Sequence, residues 1–128
     1  MTDTWSPDEL ERIGSVAELE IAVRRADGTV RRWVPIWAVS VGEHVFVRTW
    51  HRRDTGWFGH VLKSRRARIR VPGLEADVAV EDVGDGTAQL RADVDAAYRT
   101  KYGSYGSSSV DAMVAEPAAA ATLRLSRQ

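Results

Sequence analysis

One stretch constrains the fold more than any other. From Trp33 to Val39 the chain reads Trp-Val-Pro-Ile-Trp-Ala-Val, apolar on both alternating sides. A strand with two apolar faces has to be covered twice, as in a closed barrel or beneath a helix. Pro35 has no N–H to give a ladder, which predicts an edge or a bulge at that point. The strand before it is half-solvated: Leu19, Ile21 and Val23 alternate with Glu18, Glu20 and Arg24. Ala26-Asp27-Gly28 between the two carries the Asp-Gly hairpin signal.

The remaining elements follow from the same period rules. Ser6-Pro7-Asp8-Glu9 forms a capping box with proline at the first helical position, and Gly14 closes that short helix. Residues 29–41 form the second strand and 44–49 the third, joined by Gly42-Glu43. A helix over 55–64, capped by Asp54 or Thr55, carries Trp57, Phe58, Val61 and Leu62 on one face. Strands at 68–71 and 74–83 flank Pro72-Gly73, a helix spans 88–102 with Gly103 at its C-cap, and 121–125 is a last strand. At 128 residues this makes one domain, residues 1–128. Hairpins dominate and no βαβ alternation runs through the chain. The expected fold class is α+β, a small, partly closed antiparallel barrel with flanking helices.

Several kinds of chemistry are excluded at once. The chain has no cysteine, so disulfides, thiolate nucleophiles, cysteine zinc sites and iron–sulfur clusters are out. His44, His51 and His60 have no metal-ligand spacing, no Gly-x-Ser-x-Gly elbow occurs, and no glycine-rich nucleotide loop occurs. The start of the chain has no secretory signature and no apolar run nears the length of a membrane span, which predicts a cytoplasmic protein away from membranes.

A formal net charge of zero hides a strong segregation. Twelve Lys/Arg stand against three acids between Arg24 and Arg70, and sixteen of the eighteen bases are arginine. Arginine is suited to planar contact with phosphate or carboxylate. The densest group is Arg48-Thr49-Trp50-His51-Arg52-Arg53, where a strand ends and a helix begins, with Lys63 at that helix's far end. Backbone N–H groups at a helix start favour an anion. Arg48 shares a strand face with Phe46, while Arg52 reads as a solvated charge. Of the five tryptophans, Trp57 reads as core, and Trp37 reads equally as core or as a wall for a planar ligand.

The sequence also resembles a known family. Trp-Ser-x-x-Glu-Leu at 5–10, Val-Pro-Ile-Trp at 34–37, Val-Arg-Thr at 47–49, Trp57-Phe58, Tyr-x-x-Lys-Tyr-Gly at 98–103, Val-Asp-Ala-Met-Val at 110–114 and Ala-Thr-Leu-Arg-Leu at 121–125 are similar to the domain-of-unknown-function 2255 family. Residues 20–82 resemble the wider split β-barrel superfamily, which includes pyridoxamine-phosphate-oxidase-like proteins and deazaflavin-dependent nitroreductases. That resemblance implies a homodimer with an FMN or deazaflavin coenzyme. It implies an antiparallel split β-barrel of about six strands with flanking helices, in which the strand at 34–39 lies along the flavin ring and Arg48, Thr49, Arg53 and Lys63 surround the phosphate. The expected site is one concave, positively charged face lined by Arg48, Thr49, His51, Arg53 and Lys63, with Trp37 and Trp50 bordering its planar part. The family's usual Ser/Thr-x-Lys phosphate contact is replaced here by Trp50-His51-Arg52-Arg53.

Three functions fit these readings. The first is a flavin- or deazaflavin-dependent redox enzyme acting on a small organic molecule, with the cofactor phosphate held by the Arg48–Arg53 loop. The second is a small-molecule or haem-binding protein on the same barrel, with His51 or His60 as axial ligand. The third is a single-stranded nucleic-acid binder using interleaved arginine and tryptophan, against which the balanced net charge argues.

Overall fold

The computed structural model describes residues 5–48, 56–84, 86–103, 111, 114 and 121–128. Three helices and seven strands run in the order α1 (Pro7–Ser15), β1 (Leu19–Val23), β2 (Val34–Ile36), β3 (Ala38–Val41), β4 (His44–Arg48), α2 (Gly56–Ser64), β5 (Arg66–Val71), β6 (Leu74–Gly84), α3 (Ala88–Tyr102) and β7 (Thr122–Arg127). All strands belong to one antiparallel sheet with the order β2-β1-β5-β6-β7-β4-β3.

That order explains the doubly apolar stretch. β2 and β3 lie at opposite edges of the sheet, yet a single residue, Trp37, separates them in the chain. The sheet therefore curls until its two edges meet, and one extended segment crosses from one edge to the other. The result is a split barrel with seven strands, or six if the broken strand is counted once.

Alternation then sorts side chains inside and out. Ile36, Ala38, Val45, Val47, Ile69, Val78 and Leu123 from six of the strands join one buried interior with β1's Leu19 and Ile21. Ile13 of α1 and Phe58 and Val61 of α2 complete it. On the outer side, Val39 and Phe46 pack with Val94, Tyr98 and Tyr102 of α3 in a second cluster. The double covering thus belongs to β3 and β4. The first half of the expected strand is more open, with Pro35 exposed on edge strand β2 and paired only with Glu20 of β1. Trp33 is half-buried under the Arg70 guanidinium, 4.1 Å from its ring centroid.

Local signals shape the junctions. Ser6 accepts from Glu9 N and the Glu9 carboxylate accepts from Ser6 N, closing the capping box, and α1 runs one residue past Gly14. Pro72-Gly73 turns β5 into β6 with Gly73 at φ +82, a backbone that excludes ordinary side chains. α3 spans the expected residues, and Thr87 is its N-cap. Gly103 at its C-cap is right-handed, so its freedom is not used there. β7 extends to Arg127 and lies inside the sheet between β6 and β4. The expected start of the second helix at Thr55, its cap at Asp54 and the end of the third strand at Thr49 lie outside the described residues. Among the described residues no helix is long and apolar enough to cross a membrane.

Candidate functional site

Where β1 ends, its hairpin turn meets the far end of α2. The Ser64 hydroxyl donates to the Arg24 carbonyl, and Arg24 N donates to Arg66 O at 3.0 Å, so α2, β1 and β5 are pinned together here. Arg65, at φ +61, makes the turn between α2 and β5 in the left-handed region that glycine usually takes. Its Nε donates to Leu62 O at 2.8 Å, and its carbonyl accepts from Val80 N at 2.9 Å.

These junctions open a surface hollow of about 410 Å³. Arg24, Arg25, Arg31, Lys63, Arg66 and His60 line it, and among the described residues no carboxylate does. Asp27, in the turn itself, is taken by Thr29, whose hydroxyl and N–H donate to it at 2.7 and 3.0 Å. Those bonds, with Arg25 nearby, hold its carboxyl below the usual range. Arg24 is committed to Asp77 at 2.5 Å. Arg25 bonds the neutral Thr29 hydroxyl and Val30 carbonyl, and its charge also acts on the nearby Asp27 carboxylate. The His60 imidazole is held below its ordinary value by lost hydration first, then by the charges of Arg31, Lys63 and Arg25. A cradle of this composition fits an anionic group. The α2 dipole does not assist, because the hollow meets its C-terminal end.

Arg48 and Trp37 sit elsewhere. Arg48 is buried at 1% exposure beneath α3, on the same sheet face as Phe46. Its Nη1 donates to Asp95 at 2.6 Å, its Nε donates to Thr122 Oγ1 at 2.8 Å, and its guanidinium lies 5.6 Å from the Tyr98 ring centroid. Burial pushes the Tyr98 phenol up, with the Arg48 charge opposing. Trp37 stacks on Tyr102 at 4.0 Å with the rings 2° from parallel, so one indole face is already taken. Lys63 lines the hollow, which Arg48 and Trp37 do not. It stands seven residues into α2 from Gly56, about 10 Å along the axis from the helix start. Thr49, Trp50, His51, Arg52 and Arg53 lie outside the described residues.

Sequence reasoning missed Arg25, Arg31 and Arg66 as partners of Lys63. The signal was present in the charge segregation, but the hairpin arms and the helix end meet only through tertiary packing. Asp95 and Thr122, the partners of Arg48, gave no signal at all, being 47 and 74 residues away.

A curled antiparallel sheet whose edges meet at one residue, with helices at its flanks, defines a split-barrel protein. The family model described as an uncharacterized protein conserved in bacteria (DUF2255) matches residues 9–125, and the chain belongs to that family. No functionally curated protein matches it. Among solved structures, it is similar to a conserved hypothetical protein from Mycobacterium tuberculosis, with TM-score 0.61, 12% identity and coverage of 95% of this chain and 79% of that one. It is also similar to an FAD-binding protein from Mesorhizobium loti, with TM-score 0.55, 13% identity and coverage of 97% and 89%. A third similar structure is an F420 reductase, with TM-score 0.50, 17% identity and coverage of 92% and 90%. At these identities the likeness establishes the fold.

Proposed function

We propose that this chain is a redox protein that uses a flavin or deazaflavin cofactor on a small organic substrate, and that the hollow beside the β1–β2 turn holds the anionic part of that cofactor. One observation carries the reading: five cationic side chains line a hollow whose walls, among the described residues, have no carboxylate. With Arg24 held by Asp77 and Arg25 beside Asp27, the charges of Arg31, Lys63 and Arg66 are left to be neutralised by a phosphate or carboxylate. The named cofactors of two structural neighbours support the choice of ligand class. In the same proposal Thr49, Trp50, His51 and Arg53, between β4 and α2, supply further contacts. Trp37 and Arg48, beneath α3 and outside the hollow, would take part only where the cofactor extends beyond its anionic end.

When bound, the cofactor supplies hydride transfer. The chain's part is to bind and orient it: Arg31 and Lys63 fix its anionic end by charge-assisted hydrogen bonds, and the barrel wall gives a rigid backing. A homodimer belongs to the same reading, and a monomer mass in light scattering at micromolar concentration removes it.

The test is a visible spectrum of the purified protein followed by fluorescence titration with FMN and with a deazaflavin coenzyme. The expected result is saturable binding of one of them. Arg31→Ala with Lys63→Ala should weaken it by about tenfold or more, the scale of one lost charge-assisted bond, at an unchanged thermal midpoint. Equal affinity in the double variant, or no binding by the wild type, overturns the proposal. A Soret band redirects it to the haem alternative with His51 or His60.

A further inference from the structure

One wall residue of the basic hollow differs in kind from the rest. Arginine and lysine side chains stay charged through the neutral range, whereas an imidazole gains or loses its proton there. His60 lines the hollow from α2, exposed, one turn before Lys63 on the same helix face. Among the described residues no carboxylate and no hydrogen-bond acceptor engages its ring.

The charges around it come from every neighbouring element. β1 and its turn bring Arg24, Arg25 and Asp27, the β2 arm brings Arg31, α2 brings Lys63, and β5 brings Arg66. Asp77 of β6 stands behind Arg24. Both acids are already engaged, Asp27 by the Thr29 hydroxyl and N–H, and Asp77 by Arg24 and Arg68. Both carboxyls are held below their ordinary values, so neither changes charge in the histidine range. A proton on His60 adds a positive charge to a wall that is already cationic, which disfavours it. A dianion in the hollow reverses that field. The imidazolium then has an attractive partner, and with both ring nitrogens donating it can offer a charge-assisted hydrogen bond.

We propose that His60 is the proton-linked residue of this site: a phosphate-type dianion enters the hollow together with one proton, which settles on the imidazole. The inference rests on the reading of the hollow as an anion site, and adds how binding there responds to pH and which anions it favours. What favours the proton when the anion is present favours the anion when the proton is present. The hollow therefore holds its anion more tightly in acid and releases it as pH rises out of the histidine range, a response that fixed charges on Arg31 and Arg66 cannot give. The added charge also meets two negative charges on a dianion and one on a monoanion, so protonation favours a phosphate monoester over a monocarboxylate.

The test uses sulfate, which stays a dianion throughout, on the full chain at constant ionic strength. Proton NMR follows the His60 imidazole from pH 5 to pH 8.5 with and without saturating sulfate, the signal being assigned by its loss in His60→Gln. The titration midpoint of His60 should rise with sulfate, and sulfate should bind about fivefold more tightly at pH 5.5 than at pH 8. Nitrate, carrying one charge, should show a smaller pH effect. His60→Gln should bind sulfate with an affinity that no longer follows pH, and His60→Lys should bind at pH 8 about as tightly as the wild type does at pH 5.5. A midpoint that sulfate leaves unmoved, an equal pH effect with nitrate, or the wild-type pH dependence persisting in His60→Gln overturns the inference. If sulfate still binds in those cases and Arg31→Ala with Lys63→Ala weakens it, the hollow stays an anion site and only the role of His60 falls. No sulfate binding at either pH removes both. Proton-linked sulfate binding in a protein that takes neither flavin nor deazaflavin supports the inference and overturns the choice of cofactor.

Discussion

Beneath α3 and beside the β1–β2 turn, the chain uses the same residue in two opposite settings. Arg48 is sealed under the helix with Asp95 and Thr122 around it, its charge spent inside the protein. Arg31 and Arg66 stand at an open hollow with other cations and, among the described residues, no acid in its walls. Twelve bases between Arg24 and Arg70 look alike in sequence, and what separates structural from ligand-ready ones is whether a carboxylate from another element reaches them. The buried pair ties β4 to α3, and the open group leaves charge for something else to neutralise.

The largest effect should come from breaking the buried half of this contrast. Asp95→Ala takes the carboxylate away from Arg48 Nη1 in a buried site, which should cost about 3 kcal/mol, the low end for a broken buried pair because Asp95 is partly exposed. Replacing both partners, Arg48→Met with Asp95→Leu, should recover most of that loss, since apolar side chains remove the buried charge. Urea unfolding of the three proteins checks both. A loss under about 1 kcal/mol for Asp95→Ala, the range of a surface pair, would make Arg48 as free as the arginines of the hollow.

Much of the fold was legible because it rests on short-range patterning. The capping box of Ser6 and Glu9, the Pro72-Gly73 turn, the alternation of β1 and the face of α3 all come from neighbours within a few residues. Trp37 shows the limit. The stretch around it reads as one strand, and only the meeting of the sheet's two edges explains why it breaks there. The candidate site was less legible for the same reason. That Arg48 faces the side of Phe46 follows from the strand period, but that α3 covers that side depends on contacts spanning more than forty residues. Lys63 pointed to a cationic site, and its true neighbours, Arg25 and Arg31, sit on a hairpin that no local rule connects to α2.

A smaller effect should appear at the hollow's rim. Arg65 holds a left-handed backbone that turns α2 into β5 and so sets Lys63 beside Arg66. A β-branched side chain is a genuine outlier there, and Arg65→Val should lose about 1–2 kcal/mol. Arg65→Gly should stay within about 1 kcal/mol, because relief of strain offsets the added freedom of the unfolded chain. Thermal melts of both variants test this. Equal losses would show that the lost hydrogen bond to Leu62, and not the backbone, is what matters.

Asp77 sits where the two settings meet, and its removal should have the smallest effect on stability. It binds Arg24 at 2.5 Å and Arg68 at 2.9 Å, holding Arg24 away from whatever the hollow receives. Burial works to raise its carboxyl, but the hydrogen bonds and charges of the two arginines outweigh that and leave it below the ordinary value of 3.8. A carboxyl lowered by folding stabilises above its unfolded pKa, and that gain disappears as pH falls through the folded value. At neutral pH the contribution is therefore fully present, yet the carboxylate is 42% exposed, which limits it to under about 1 kcal/mol. Asp77→Asn should melt slightly below the wild type at pH 7, and the two curves should converge as the acid limb is descended. The same substitution frees Arg24, so affinity for an anion such as pyrophosphate should rise modestly. A fall in that affinity would mean that Asp77 aims Arg24 into the hollow, moving Arg24 from the compensated setting to the open one.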